Sequence, residues 1–213
     1  MINNGITVAP VRIAVFASGR GSTFRAIQQV LESTPDAPAT IVLCVSNNPH
    51  PGVFEHAEEA GIETVRLSPK MFATEEEYAD VLAQVLQDRG VRMLVLAGYM
   101  RRLPASIVAS FRGRILNIHP ALLPKFGGKG MYGMHVHEAV IAAGERDSGP
   151  TVHLVDEEYD TGPIVAQEHV PVLPDDTPET LAARVLAVEH RLYPRVVMEW
   201  ARKISGQDTS SVP

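Results

Sequence analysis

Three runs, residues 11–17, 40–45 and 92–97, are apolar almost throughout, with no alternation of inward and outward side chains. A strand reads this way when both of its faces are covered, as inside a parallel sheet flanked by helices. Each run ends in small or polar residues: Ser18-Gly19-Arg20-Gly21-Ser22, Ser46-Asn47-Asn48 and Gly98-Tyr99. Helical patterns lie between the runs. Thr74-Glu75-Glu76-Glu77 has the form of a capping box ahead of Tyr78, Val81, Leu82 and Val85. Thr177-Pro178 opens a helix with Leu181, Val185, Val188 and Leu192 on one face, and Pro194 is expected to kink or restart it. The alternation predicts right-handed βαβ units, hence an α/β fold: a three-layer, Rossmann-like, mostly parallel twisted sheet with helices on both faces. After Gly149 the pattern changes to two strands, 151–155 and 164–172, expected as an antiparallel hairpin near the C-terminal part of the sheet.

A chain of 213 residues suits one domain, expected over 1–203, with 204–213 as a flexible tail. The net charge of −6 disfavours a nucleic-acid partner, whose phosphates call for clustered Lys and Arg. No apolar run approaches the roughly 18 residues of a membrane span, and residues 1–10 lack the charged start and apolar core of a secretory signal. The single cysteine, Cys44, lies inside an apolar run and reads as buried filler; alone it forms no internal disulfide. The expectation is a cytoplasmic protein acting on small molecules.

Open α/β sheets bind ligands beyond the carboxyl ends of their strands, where strand order reverses. The turn Ser18–Thr23, between the first strand and a helix, offers free N–H groups to a phosphate; its plainer reading is a strand–helix connection. It lacks the third glycine of a dinucleotide loop and the Gly-Lys-Ser/Thr of a Walker loop. Asn117-Ile118-His119-Pro120 ends a short strand, 114–117, so Asn117 and His119 share a face, where an amide and an imidazole together suit a developing oxyanion. In Asp156-Glu157-Glu158-Tyr159-Asp160-Thr161-Gly162-Pro163 the first acids read as a solvated turn, whereas Asp160 is placed to act as a base or to orient His119 and keep it charged. His135 and His137 would project about 200° apart on a helix, a poor pair for one metal ion, and no metal is expected. Gly127–Gly133 reads as a mobile loop at the site, and Gly98-Tyr99-Met100-Arg101-Arg102-Leu103 should line the same crevice.

Taken in order from Val11 to Trp200, these segments resemble the 10-formyltetrahydrofolate-dependent phosphoribosylglycinamide formyltransferases of purine synthesis. The resemblance rests on Ser18–Ser22, Val45–Asn48, Leu94–Arg101, Leu116-Asn117-Ile118-His119-Pro120 through Pro124, Val152-His153, Asp160–Pro163, and Glu189-His190 before Tyr193-Pro194; no one motif is specific, but their order and spacing are. It implies the formyltransferase fold and transfer of a formyl group from folate N10 to the amine of 5′-phosphoribosylglycinamide (GAR). It implies a catalytic trio of Asn117, His119 and Asp160, and a GAR phosphate and ribose site at Gly19, Arg20, Gly21, Ser22, Thr23 and Glu189. The folate would meet Met100, Arg101, Arg102, Leu103, Asn117, Val155, Asp156 and Asp160, with His153 and His137 in support, and Leu123-Pro124 resembles a cis peptide of the family. Thr23 stands where members commonly carry Asn, and Glu75 where some carry Arg near the folate tail. The implied partners are two small molecules, with a monomer or homodimer and no metal. A formyltetrahydrofolate hydrolase usually carries an added N-terminal domain, for which the residues before Val11 leave no room, and a methionyl-tRNA formyltransferase has a C-terminal domain and a need for positive charge. A phosphometabolite sensor would need the loop at Gly19–Ser22 but not the trio.

Overall fold

The structure, a computed structural model, describes residues 9–209. At its centre β1 (Val11–Phe16) runs parallel to β2 (Ala39–Ser46), which in turn pairs in parallel with β3 (Glu63–Arg66). On the other side of β1 lie β4 (Met93–Leu96) and β5 (Ile115–His119), also parallel. Antiparallel β7 (Thr151–Leu154) and β8 (Ile164–Gln167) complete a sheet of order β3-β2-β1-β4-β5-β7-β8. The expected second hairpin strand is broken at 168–169: its end forms β9 (Val170–Pro171), paired with β6 (Asp147–Ser148) in a separate two-stranded sheet. The helices are α1 (Ser22–Ser33), α2 (Val53–Glu59), α3 (Glu75–Asp88), α4 (Ala105–Ser110), α5 (Met134–Ala142) and α6 (Pro178–Thr209). Edge strand β3 and helix α2 carry weak patterns that the sequence reading passes over; both faces of β3 are only partly covered.

The non-alternating runs have the expected cause. Ile13, Val15, Cys44, Met93, Val95 and Leu116 face one core shared with α1 and α6, while Ala14, Phe16, Leu43, Val45, Leu94 and Leu96 face a second core shared with α3 and α4. The capping box forms: the Glu77 N–H donates to Thr74 Oγ1 at 3.1 Å, and Glu77 Oε2 accepts from the Ala73 N–H at 3.0 Å.

Helix α6 corrects two expectations. It runs unbroken through Pro194, because Leu192, Tyr193, Val196 and Val197 are all buried against the sheet and hold both sides of the proline in one line. It also continues past 203, with Ile204 buried in the same core; residues 210–213 lie outside the described residues. Among the described residues no helix is long and apolar enough to cross a membrane. Tyr193 ties α6 to the sheet, its hydroxyl lying 3.0 Å from the Leu96 carbonyl and 2.9 Å from that of Leu116. Tyr193→Phe should therefore cost about 1–2 kcal/mol in urea unfolding, by removing the single buried hydrogen that the two carbonyls share; an unchanged midpoint would show that the hydroxyl carries no net stability.

Candidate active site

Strand order reverses between β1 and β4, and the segments that follow these two strands are stitched together. The Ser18 N–H donates to the Gly98 carbonyl, the Met100 N–H donates to Ser18 Oγ at 2.8 Å, and Ser18 Oγ donates to Asn47 Oδ1 at 2.5 Å. The Asn48 amide donates in turn to the Ser18 carbonyl. The polar ends of β1, β2 and β4 thus brace one turn, leaving Arg20 and Ser22 exposed. Gly21 caps α1 at φ +83°, and a Cβ there would lie 2.8 Å from the Val53 backbone, so the turn has room only for glycine. Thr23 is buried in the first turn of α1, an inward placement for a residue expected at a phosphate.

Two residues after Met100, Arg102 holds the 155–160 segment: its guanidinium donates to the Glu157 carbonyl and lies 5.9 Å from the centre of the Tyr159 ring. Met100, Arg101 and Arg102 are exposed, and Arg102 ties them to the segment that carries Val155 and Asp156. Leu103 does not share that exposure; it is 4% exposed and packs in the second core beneath the loop.

The residues singled out on β5 and after β7 come together in a cluster of their own. His119 is 4% exposed, with Nδ1 3.6 Å from Asp160 Oδ2 and Nε2 2.8 Å from the Phe126 carbonyl. Asp160, in the left-handed region at φ +58°, also places Oδ1 3.5 Å from His153 Nε2 and accepts the Gly128 N–H at 2.9 Å. β5 and β7 pair Asn117 directly with His153, and Asn117 Nδ2 lies 3.0 Å from His153 Nε2. Because His153 Nδ1 is 2.9 Å from the Leu154 carbonyl, which can only accept, Nδ1 carries the hydrogen and Nε2 is left to accept from the Asn117 amide. Asn117, His119, His153 and Asp160 therefore form one connected cluster. His137, on α5, is 5% exposed, and its buried Nδ1 lacks a hydrogen-bond partner. Among the described residues no three His, Cys, Asp or Glu side chains converge as metal ligands do.

The electrostatics correct the expectation that Asp160 keeps His119 charged. Burial pulls the imidazole below its ordinary range, and Asp160 and the Phe126 carbonyl offset this only in part. Burial likewise opposes ionisation of Asp160, but His153 and His119 when they carry a proton toward it, together with the Gly128 N–H, outweigh it and hold the carboxyl below its ordinary range. The resting cluster is a carboxylate beside a histidine poised to take a proton. Burial also lowers His137 and pushes Cys44 up to about 12, in keeping with an inert core thiol.

Glu189 lies on α6, one turn before Tyr193, and burial pushes its carboxyl up to about 7. A raised acid binds its proton more tightly folded than unfolded, so its contribution is fully present below pH 4.5 and is lost as pH rises through about 7. Glu189→Gln should flatten this part of the stability profile by on the order of 3 kcal/mol between pH 4.5 and 8. Urea unfolding of both proteins at the two pH values reads the difference; parallel profiles would show that Glu189 does not titrate in that window.

The Phe126 carbonyl and the Gly128 N–H that complete the site leave no side-chain mark in the sequence, where only a glycine-rich stretch stands. The signal available was its proximity to His119 and its spacing from the Leu123-Pro124 peptide, which is cis as the resemblance implied.

The formyl transferase family matches residues 11–197. The phosphoribosylglycinamide formyltransferase of Bacillus subtilis (strain 168) is 37% identical over 189 residues, which cover 88% of this chain and 93% of that protein. The chloroplastic phosphoribosylglycinamide formyltransferase of Arabidopsis thaliana is 49% identical over 191 residues; the match covers 87% of this chain but 64% of the plant protein's length. Among solved structures, the phosphoribosylglycinamide formyltransferase from Brucella melitensis superposes with a TM-score of 0.83 at 44% identity, covering 91% of this chain and 96% of that one.

Proposed function

Because the chain belongs to the formyl transferase family, we propose that it transfers a formyl group from 10-formyltetrahydrofolate to the glycinamide amine of 5′-phosphoribosylglycinamide, giving formyl-GAR and tetrahydrofolate in purine synthesis. The observation that carries this reading is the connection of Asn117, His119, His153 and Asp160 in one cluster after β5 and β7, on a sheet whose β1 and β4 ends are braced through Ser18 and Met100. A phosphate suits the turn at the N-terminus of α1, where Gly19, Arg20, Gly21 and Ser22 offer backbone N–H groups and one guanidinium. Thr23 supports that turn from inside, and Glu189 is the acceptor for ribose hydroxyls. The folate ring system suits the surface offered by Met100, Arg101, Arg102, Val155 and Asp156, with Leu103 buried in the core.

In this reading the neutral amine attacks the formyl carbon, forming a C–N bond while the C=O pair moves to oxygen. Asn117 donates its second amide hydrogen to that oxygen. The proton leaving the new ammonium passes by way of Asp160, directly or through water, to His119 Nδ1, so that the imidazolium charge stabilises the oxyanion; as the intermediate collapses and the bond to folate N10 breaks, the same proton returns through Asp160 to N10. His153 holds the Asn117 amide in the donating orientation. Incubation with 10-formyltetrahydrofolate and GAR should yield formyl-GAR, with little folate deformylated when GAR is omitted. Deformylation as fast without GAR as with it would replace this reading with a hydrolase.

A further inference from the structure

We infer that Phe126 is a positioning residue: its backbone carbonyl fixes which nitrogen of His119 exchanges a proton, as one arm of a backbone clamp whose other arm is the Gly128 N–H on Asp160. The inference rests on the assignment of His119 and Asp160 to the reaction and adds the part that orients them. A carbonyl oxygen accepts and never donates, so the 2.8 Å contact from His119 Nε2 requires the hydrogen on Nε2. Nδ1, facing Asp160 Oδ2 at 3.6 Å, is then the position that gains and loses a proton. Two residues later the Gly128 N–H donates to that same Oδ2 at 2.9 Å. One short turn therefore grips the imidazole from one end and the carboxylate from the other.

The rest of the fold holds this turn. Phe126 adopts φ +56°, a conformation costly for a residue with a bulky side chain, and its ring packs against the cluster containing Val140, Val170 and Leu181. Upstream, the Leu123 N–H donates to Thr151 Oγ1 at 3.1 Å, and Gln167 Nε2 donates to the Leu123 carbonyl at 2.9 Å, so β7 and β8 pin the root of the segment. At the turn itself, a Cβ at residue 127 would lie 3.2 Å from Asp160 Cβ, which measures how closely the backbone is pressed on the carboxylate. The turn that points the Phe126 carbonyl at His119 is therefore overdetermined from both ends.

Long-range 15N–1H spectra of the free protein test the clamp without any substrate. The wild-type spectrum should show His119 Nε2 protonated at neutral pH, with Nδ1 the nitrogen that titrates; Nδ1 protonated and Nε2 bare would overturn the inference. Phe126→Val disfavours the left-handed backbone, whereas Phe126→Asn tolerates it but lacks the ring. The valine variant should mix the His119 tautomers, move its titration to lower pH, and reduce kcat about 10- to 100-fold with the KM for GAR within about twofold; the asparagine variant should recover most of both. Asp160, His153 and His137 are the other titratable groups bearing on this ring, and they are unchanged in both variants. A Phe126→Val protein with wild-type ring spectrum and kcat would overturn the inference. If it fails to fold, the wild-type spectrum still decides. A fully active His119→Ala protein would instead remove the functional reading while leaving the ring spectrum as described, so the two failures are distinct.

Discussion

Asp160→Asn is expected to lower kcat by about three orders of magnitude while the protein stays folded and keeps its substrate KM values within a few-fold. The substitution preserves size, and an amide oxygen can still accept the Gly128 N–H that holds the turn at 2.9 Å. What it removes is a carboxylate held in the ionised form next to His119 Nδ1 and His153 Nε2. An amide cannot take the proton of the attacking amine. With the amide oxygen held on the Gly128 N–H, its NH2 group takes the Oδ1 position beside His153 Nε2, and the oxygen facing His119 Nδ1 carries no charge. Burial already draws His119 toward the neutral form, so losing the Asp160 charge leaves the Phe126 carbonyl alone to support imidazolium as charge develops on the formyl oxygen. His119→Ala should fall about as far, and the double variant little further, because the two groups act on one proton. Steady-state rates at saturating GAR and formyl-folate decide it. A kcat within tenfold of wild type for Asp160→Asn would take the carboxylate out of the chemistry.

The sheet was legible because its signal is cumulative: Ile13 and Ala14, or Leu94 and Val95, face opposite cores, and only two-sided burial makes both apolar. The location of the site was legible for the same reason, since Ser18, Asn47 and Gly98 each follow such a strand. Asn117 and His119 announced themselves by chemistry and spacing. What stayed hidden depends on packing or on backbone atoms. The direction in which His119 is shifted is a contest between burial and Asp160, and the sequence shows the carboxylate but not the depth of burial. The Phe126 carbonyl and Gly128 N–H have no side-chain signature at all. Pro194 misled for a related reason: a local rule against proline in helices was outweighed by burial of its neighbours, visible only once α6 lies on the sheet.

Gly162→Ala is expected to cost about 3 kcal/mol of stability and about 100-fold in kcat. The glycine of Asp160-Thr161-Gly162-Pro163 is there for closeness of approach. A Cβ at 162 would lie 1.9 Å from the Leu154 carbonyl oxygen and 3.0 Å from its carbon, atoms of the strand β7 that no rotamer change can move aside. Next to this contact the Leu154 N–H donates to the Pro163 carbonyl at 2.9 Å, closing the loop that carries Asp160 back onto the strand that carries His153. Alanine must either part β7 from the start of β8 or push the 156–162 segment outward. Either movement separates Asp160 from His119 Nδ1, which already lies 3.6 Å from Oδ2. Gly206→Ala is the matched control, since a Cβ in that part of α6 meets nothing within 4 Å, and helix propensity predicts a gain of about 0.5–1 kcal/mol there. Urea unfolding and kcat for both variants separate a clash from a generic glycine effect. If Gly162→Ala matched wild type in both, the loop would have freedom that this contact denies it, and the placement of Asp160 would need another cause.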